Sequence, residues 1–285
     1  MPMRFAYSLA AVVGLAISIV LFQVAFTYFK GQQIERAAAR LTLYQNTLAS
    51  EIRHFGHLPF HLSLDPIVAQ TLAGGGEAAL DYRLARFAQS AGLDAIYLMD
   101  HTGDTISASN AKSPGSFKGQ NYAYRPYFQA AQRGELGEFY GIGATTGKPG
   151  YFHAIAVRHP AGGRDGVIAL KSGLAPLQAA WQNSGDRILL ANSDGVILLA
   201  SDPAWRYRTL AQLNAAQRDR IAASRQFTGQ PLDRLSWAID DEAQTAEIDG
   251  DTLFHLRTAA LPNSWTLHFF EPMDQSVTNA YLATG

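Results

Sequence analysis

The hydrophobic pattern changes period along the chain, and each change marks a different kind of element. Phe5 to Phe29 carries no charged residue and lies between Arg4 and Lys30. At ~1.5 Å per residue such a helix exceeds the roughly 30 Å hydrocarbon core of a bilayer, so residues 5–29 predict a membrane anchor. Phe5, Tyr7, Tyr28 and Phe29 stand where interfacial aromatics belong. A cleaved signal peptide would have a shorter apolar region with small residues close behind it. Here Phe26 to Phe29 is bulky and Ala37 to Ala39 falls well downstream. That favours an uncleaved anchor with a short cytoplasmic tail.

Beyond Lys30 the apolar positions Ile34, Ala37, Leu41, Tyr44, Leu48, Ile52 and Phe55 recur at steps of three and four. This predicts that the helix continues through 30–58, ended by Gly56 and Pro59. So narrow a seam suits either a partner helix, and hence a homodimer through the N-terminal helix, or the side of the chain's own domain. Asp65-Pro66 opens a short helix over 67–72, and Leu80 to Ala91 has a second helical stripe. From Ala95 the period becomes that of strands. Strands are expected at 95–99, 105–109, 139–142, 151–157 and 166–170, with a short helix at 127–133. The theme then repeats. Strands at 187–191 and 196–200 flank the turn Asn192-Ser193-Asp194-Gly195, a helix is expected over 210–223, and strands at 235–239, 252–259 and 265–270 follow. Helices first, then meanders of strands, twice, predict an α+β chain with two tandem PAS-like domains and antiparallel sheets. Their expected bounds are 59–182 and 183–273. Residues 274–285 read as a juxtamembrane stalk before a missing second transmembrane helix.

Composition narrows the chemistry. The chain has 285 residues, 47% of them hydrophobic and 16% charged, with a net charge of -1 and no cysteine. A sizeable core is therefore expected, thiolate metal sites are excluded, and bulk charge does not point to nucleic acid. His54, His57 and His61 lie close together, but Gly56 and Pro59 interrupt the helix and no carboxylate completes a ligand set, so no metal or cofactor is expected. Gly74-Gly75-Gly76 lacks the Lys-Ser/Thr of a phosphate loop. There is no Gly-x-Ser-x-Gly elbow, which leaves a membrane-anchored hydrolase built from scattered residues such as His153 and Asp100 as a lesser alternative.

The most informative stretch is Gly119 to Phe128, where Arg125 stands among Tyr122, Tyr124, Tyr127 and Phe128, followed by Pro126. A guanidinium offers a rigid fork of donors that matches a carboxylate. Tyrosines beside it supply apolar walls and hydroxyl donors. Together with Thr145-Thr146, Gly150-Tyr151-Phe152, Gly166 to Lys171 and Ser201 to Trp205, this string resembles, in order and over essentially the whole chain, the tandem Cache sensor regions of bacterial four-carbon dicarboxylate sensor histidine kinases. The resemblance implies an inner-membrane protein with its sensor domains in the periplasm. It implies a succinate, fumarate or malate ligand in the membrane-distal domain, and a catalytic kinase part outside this chain.

Residue by residue, the resemblance assigns Tyr122 and Arg125 to one carboxylate and Lys171 to the other. Thr145 or Thr146 would add a hydroxyl or a backbone N–H, and Tyr151 would line the wall. His153 shares strand parity with Tyr151 and so is a further candidate, against its reading as a core or surface histidine. Similar domains that bind amino acids carry an aspartate in place of Lys171, and a lysine there would repel an ammonium group. The alternative function is the input region of a chemoreceptor or diguanylate cyclase for another small organic acid.

Overall fold

The computed structural model describes residues 2–258 and 264–284, with side chains at 12–258, 264–274 and 277–284. The side chains of Phe5 and Tyr7, the expected strand end at Ala259 and the stalk end at Gly285 lie outside the described residues. Helix α1 (Pro2–His54) joins anchor and seam into one element, and Arg53 and His54 in its last turn complement the helix dipole. It is long and apolar enough to cross a membrane, and its most apolar 18-residue window has a mean hydropathy of 2.2 and is unburied.

The chain divides into two compact units. One takes 47–180 and 212–233, the other the residues up to 46, 181–211 and 234 onward. This differs from two consecutive domains. The segment 212–233 leaves the second stretch of sequence and groups with the first, for reasons that the bonds around Arg125 make plain.

In the first of these units the end of α1 is followed by α2 (Leu58–Ser63), α3 (Pro66–Leu72) and α4 (Glu77–Ala91). Asp65 caps α3 by accepting from the Ile67 N–H, with Pro66 as its first residue. Then come β1 (Ala95–Met99), β2 (Thr105–Ala108), α5 (Pro126–Gln132), β3 (Gly137–Ile142), β4 (Pro149–Val157), β5 (Gly166–Ser172) and α6 (Ala175–Asn183), of which residues 181–183 belong to the other unit. The antiparallel sheet has the order β2-β1-β5-β4-β3. Its two faces are built from alternate residues of the same strands. Ile96, Leu98, Val157, Ile168 and Leu170 pack with Leu62, Val68, Leu80 and Leu84 of the helices. Ala95, Tyr97, Phe152, Ala154 and Ala169 pack on the other face with Phe117, Tyr122, Tyr127 and Phe128.

The second unit is built on β6 (Arg187–Ala191), β7 (Ile197–Ala200), β8 (Trp237–Asp240), β9 (Thr245–Ile248), β10 (Asp251–Arg257) and β11 (Thr266–Pro272), followed by α8 (Asp274–Thr284). The sheet order is β7-β6-β11-β10-β9-β8. Between β6 and β7 the Asn192 side chain accepts from the Asp194 and Val196 N–H groups, and Gly195 takes φ +77, a conformation that glycine adopts at no steric cost.

The seam of α1 turns toward its own chain. Ala37, Leu41, Leu48 and Ile52 are buried, and within the second unit the Tyr44 ring meets Trp181 and Phe269 at 6.0 and 6.1 Å. Of the two readings of that seam, the apolar positions serve the chain's own domains.

The second unit also buries two imidazoles against each other. His255 Nε2 and His268 Nδ1 are 3.0 Å apart, with the rings near parallel beside Trp237 and Phe270. Burial pushes His255 down from 6.5 to about 4, helped by Arg257 and opposed by Asp241. It pushes His268 to about 3, aided by the neighbouring His255 and Arg257. Because the folded protein binds these protons less readily than the unfolded chain, their contribution is complete above pH 6.5 and is lost as pH falls from 6.5 toward 4 and 3. Each tenfold change in proton affinity is worth ~1.4 kcal/mol. The urea midpoint should therefore fall steeply across that window, and His268→Phe should flatten the fall. An unchanged slope in the variant would place the acid sensitivity elsewhere.

Candidate ligand site

Arg125 stands at the N-cap of α5 in extended conformation, and Pro126 supplies the first helical residue. Proline at that position costs no hydrogen bond and fixes where the arginine side chain leaves the backbone. That side chain is almost wholly buried, at 1% exposure. Its Nη2 donates to the Ile142 carbonyl at 2.8 Å, and its Nη1 donates to the carbonyls of Ser224 and Arg225 at 3.0 and 3.2 Å. The guanidinium also lies over the rings of Tyr124 and Phe139, at 5.3 and 5.5 Å from their centroids.

Lys171 reaches the same place from β5. It pairs in register with Phe152 and Ala95, so it belongs to the face that carries Tyr97 and Tyr122. Its Nζ donates to the Lys148 carbonyl at 3.0 Å and lies 3.4 Å from Asp94 Oδ2. Burial pulls its proton affinity down, against the pull of Asp94. Gly150 makes room for the stem, since a Cβ there would sit 2.5 Å from Lys171 Cε.

The two cations thus meet one turn from its two ends. Ile142 is the last residue of β3 and Lys148 precedes β4, and the Gly143 N–H closes the turn by donating to the Lys148 carbonyl at 2.9 Å. Thr145 and Thr146 lie in that turn. The Tyr122 hydroxyl is 2.6 Å from Thr145 Oγ1, and burial pushes its pKa up to about 12, so it stays protonated and able to donate. A Cβ at Gly143 would fall 2.7 Å from Thr146 Oγ1 and 3.5 Å from Lys171 Nζ, which places hydroxyl and ammonium around one small volume. Aromatic rings form the walls. Tyr97 packs on Phe117 and Tyr122 at 5.1 and 5.6 Å, and Tyr127 stacks on Phe152 at 5.1 Å.

Five of the seven expected residues therefore gather here: Tyr122, Arg125, Thr145, Thr146 and Lys171. Tyr151 and His153 do not. They pair with Ser172 and Leu170, so strand parity puts them on the opposite face of the sheet from Phe152 and Lys171. The His153 ring sits against Tyr151 at 4.9 Å and near Gly56, with Glu138 Oε1 3.6 Å from its Nε2, and burial lowers its pKa to about 4. It is a core histidine beside the end of α1. Of the three clustered histidines, His54 packs on Phe55 and His57 on His61. Among the described residues no group of three metal-ligating side chains gathers.

Three contributors were invisible to local pattern. Tyr97, whose hydroxyl donates to Tyr127 at 2.7 Å, lay within an apolar strand run. Asp94 preceded that run without any mark. The carbonyls of Ser224 and Arg225 come from α7 (Ala215–Ser224), roughly a hundred residues away along the chain.

Two antiparallel sheets with a buried, doubly cationic and aromatic site on one of them define the chain as a Cache-like sensor region. Its relatives make this specific. The chain is 35% identical over 202 residues to a C4-dicarboxylate transport sensor protein DctB of Pseudomonas aeruginosa, a match covering 69% of this chain and 33% of that protein. It is 31% identical over 228 residues to the DctB of Rhizobium meliloti, covering 76% and 37% respectively. The structure of the V. cholerae histidine kinase DctB sensor domain superposes with a TM-score of 0.76 at 26% identity, covering 86% of this chain and 98% of that one. A Pseudomonas aeruginosa amino acid chemoreceptor domain in complex with GABA shares the fold, with a TM-score of 0.55 and 20% identity over 83% of this chain and 98% of that one. No protein-family model matches the chain. The chain spans about a third of the length of the DctB proteins it matches, and it is a sensor region of their kind.

Proposed function

We propose that this chain is the extracytoplasmic sensor region of a membrane-anchored sensor histidine kinase, and that it binds a C4-dicarboxylate between Arg125 and Lys171. The observation that carries the reading is the convergence of those two buried cations on the two ends of the 142–148 turn, beside Tyr122 and the two threonines. A dianion matches two cations, whereas an α-amino acid would bring its ammonium against one of them at a cost of several kcal/mol. Burial already disfavours the Lys171 ammonium, so a second carboxylate within reach would stabilise its charged form. The neutral carbonyls that now accept from both side chains are the weaker acceptors. A guanidinium or ammonium donating to a carbonyl is already charge-assisted, and a carboxylate acceptor adds the attraction of a second charge in a desolvated place. The apolar N-terminal part of α1 would anchor the region, and the DctB relatives supply the expectation of a kinase output.

A thermal-shift screen tests the proposal. Succinate, fumarate or malate should raise the melting temperature in a dose-dependent way, by ~2.7 kcal/mol of stabilisation at a hundredfold excess over Kd. Neutral amino acids should not. A screen in which amino acids shift the transition and no dicarboxylate does would overturn it.

A further inference from the structure

Arg125 holds more than a place for an anion. The carbonyls it bonds, Ser224 and Arg225, are the last residue and the C-cap of α7. A helix C-terminus leaves carbonyls without partners and carries partial negative charge. The buried guanidinium thus caps α7 from another part of the chain, as a carboxylate would otherwise be bound. Around it the segment is fixed to the end of β3: the Ile142 N–H donates to the Gln226 carbonyl at 2.8 Å, and Gln226 Nε2 donates to the Tyr140 carbonyl at 2.8 Å. The Arg225 guanidinium covers the Tyr124 ring at 4.5 Å. Arg225 itself takes φ +51, a left-handed conformation uncommon for a residue with a side chain. The start of α7 is secured separately, by a reciprocal capping box between Asn214 and Gln217.

We infer that α7 and the dicarboxylate compete for Arg125, so that ligand binding releases the C-terminal end of α7 and the 212–233 segment carries the signal. This rests on the dicarboxylate reading of the site and adds its output. The segment is suited to that role by connectivity, since the chain on both sides of it, up to residue 211 and from residue 234, belongs to the other unit. A ligand shifts an equilibrium only through differential affinity for its states, and coupling between two binding events is reciprocal. Whatever weakens the hold on α7 without touching the ligand must therefore strengthen ligand binding. That sign separates competition from a merely structural role, in which a weakened site binds less well.

The test uses the full chain in detergent with succinate as the probe. Calorimetry establishes binding, and hydrogen exchange follows the amides of Ile142 and of 221–226. With succinate bound, those amides should exchange several-fold faster, while the first turn of α7 at its capping box stays unchanged. Gln226→Ala, which removes the bond to Tyr140, should tighten succinate binding about fivefold, the equivalent of one ordinary hydrogen bond returned through linkage. Binding without faster exchange, or a Gln226→Ala variant with equal or weaker affinity, would overturn the competition. Should no dicarboxylate bind at all, the ligand reading fails first and the inference falls with it, an outcome that calorimetry alone distinguishes.

Discussion

Arg125→Ala should abolish succinate binding measurable by calorimetry, a loss of at least a hundredfold. Removing one partner of a buried, hydrogen-bonded charge pair costs 2–5 kcal/mol or more, and about 2.7 kcal/mol already corresponds to that factor. The same substitution takes the Arg125 donor from the Ser224 and Ile142 carbonyls, and from the Arg225 carbonyl, which keeps the Thr228 hydroxyl. Each buried acceptor left unsatisfied costs about 1–3 kcal/mol, so the variant should also melt at lower temperature. Arg125→Lys separates the two effects. It keeps the charge and much of the stem but loses the planar fork. Its melting temperature should recover more fully than its affinity. If Arg125→Ala kept the affinity of the wild type, the guanidinium would be a structural cap for α7 and nothing more.

The second large effect concerns selectivity. Lys171→Ala should lower succinate affinity to near that of butyrate, a monoanion of equal carbon count that lacks the second carboxylate, while leaving butyrate itself little affected. The ammonium sits at 1% residue exposure beside Phe152, in surroundings that strengthen a charge pair relative to water. Its present partners are a carbonyl and an aspartate that is 40% exposed, both weaker claims than a desolvated carboxylate. Loss of binding to both acids alike would mean that Lys171 supports the fold of the 142–148 turn rather than reading the ligand.

How far these residues were legible depended on how local their signal was. Arg125 announced itself, because a cation among tyrosines with a proline behind it is a pattern within ten residues. The strand run ending at Lys171 was equally clear, and the hairpin turn at Asn192 to Gly195 followed from turn chemistry alone. Tyr151 and His153 were misplaced because a strand turns successive side chains to opposite faces. Parity fixed that they share a face but not which one, and only the pairing of Phe152 with Lys171 decided it. Strand β9, Thr245–Ile248, escaped notice because Ile248 is its one large apolar residue and Glu247 stands beside it. The return of 212–233 to the first unit left no trace in its own sequence. Its helix was expected as part of the second domain, and what captures it is a buried arginine far away in the chain.

The most direct measurement is the calorimetric titration of succinate against butyrate on the unmodified chain. Two cations clasping two carboxylates require succinate to bind at least tenfold more tightly, the second charge pair being worth upward of ~1.4 kcal/mol. Equal affinities for the two acids would show that only one carboxylate is held, and would contradict the account.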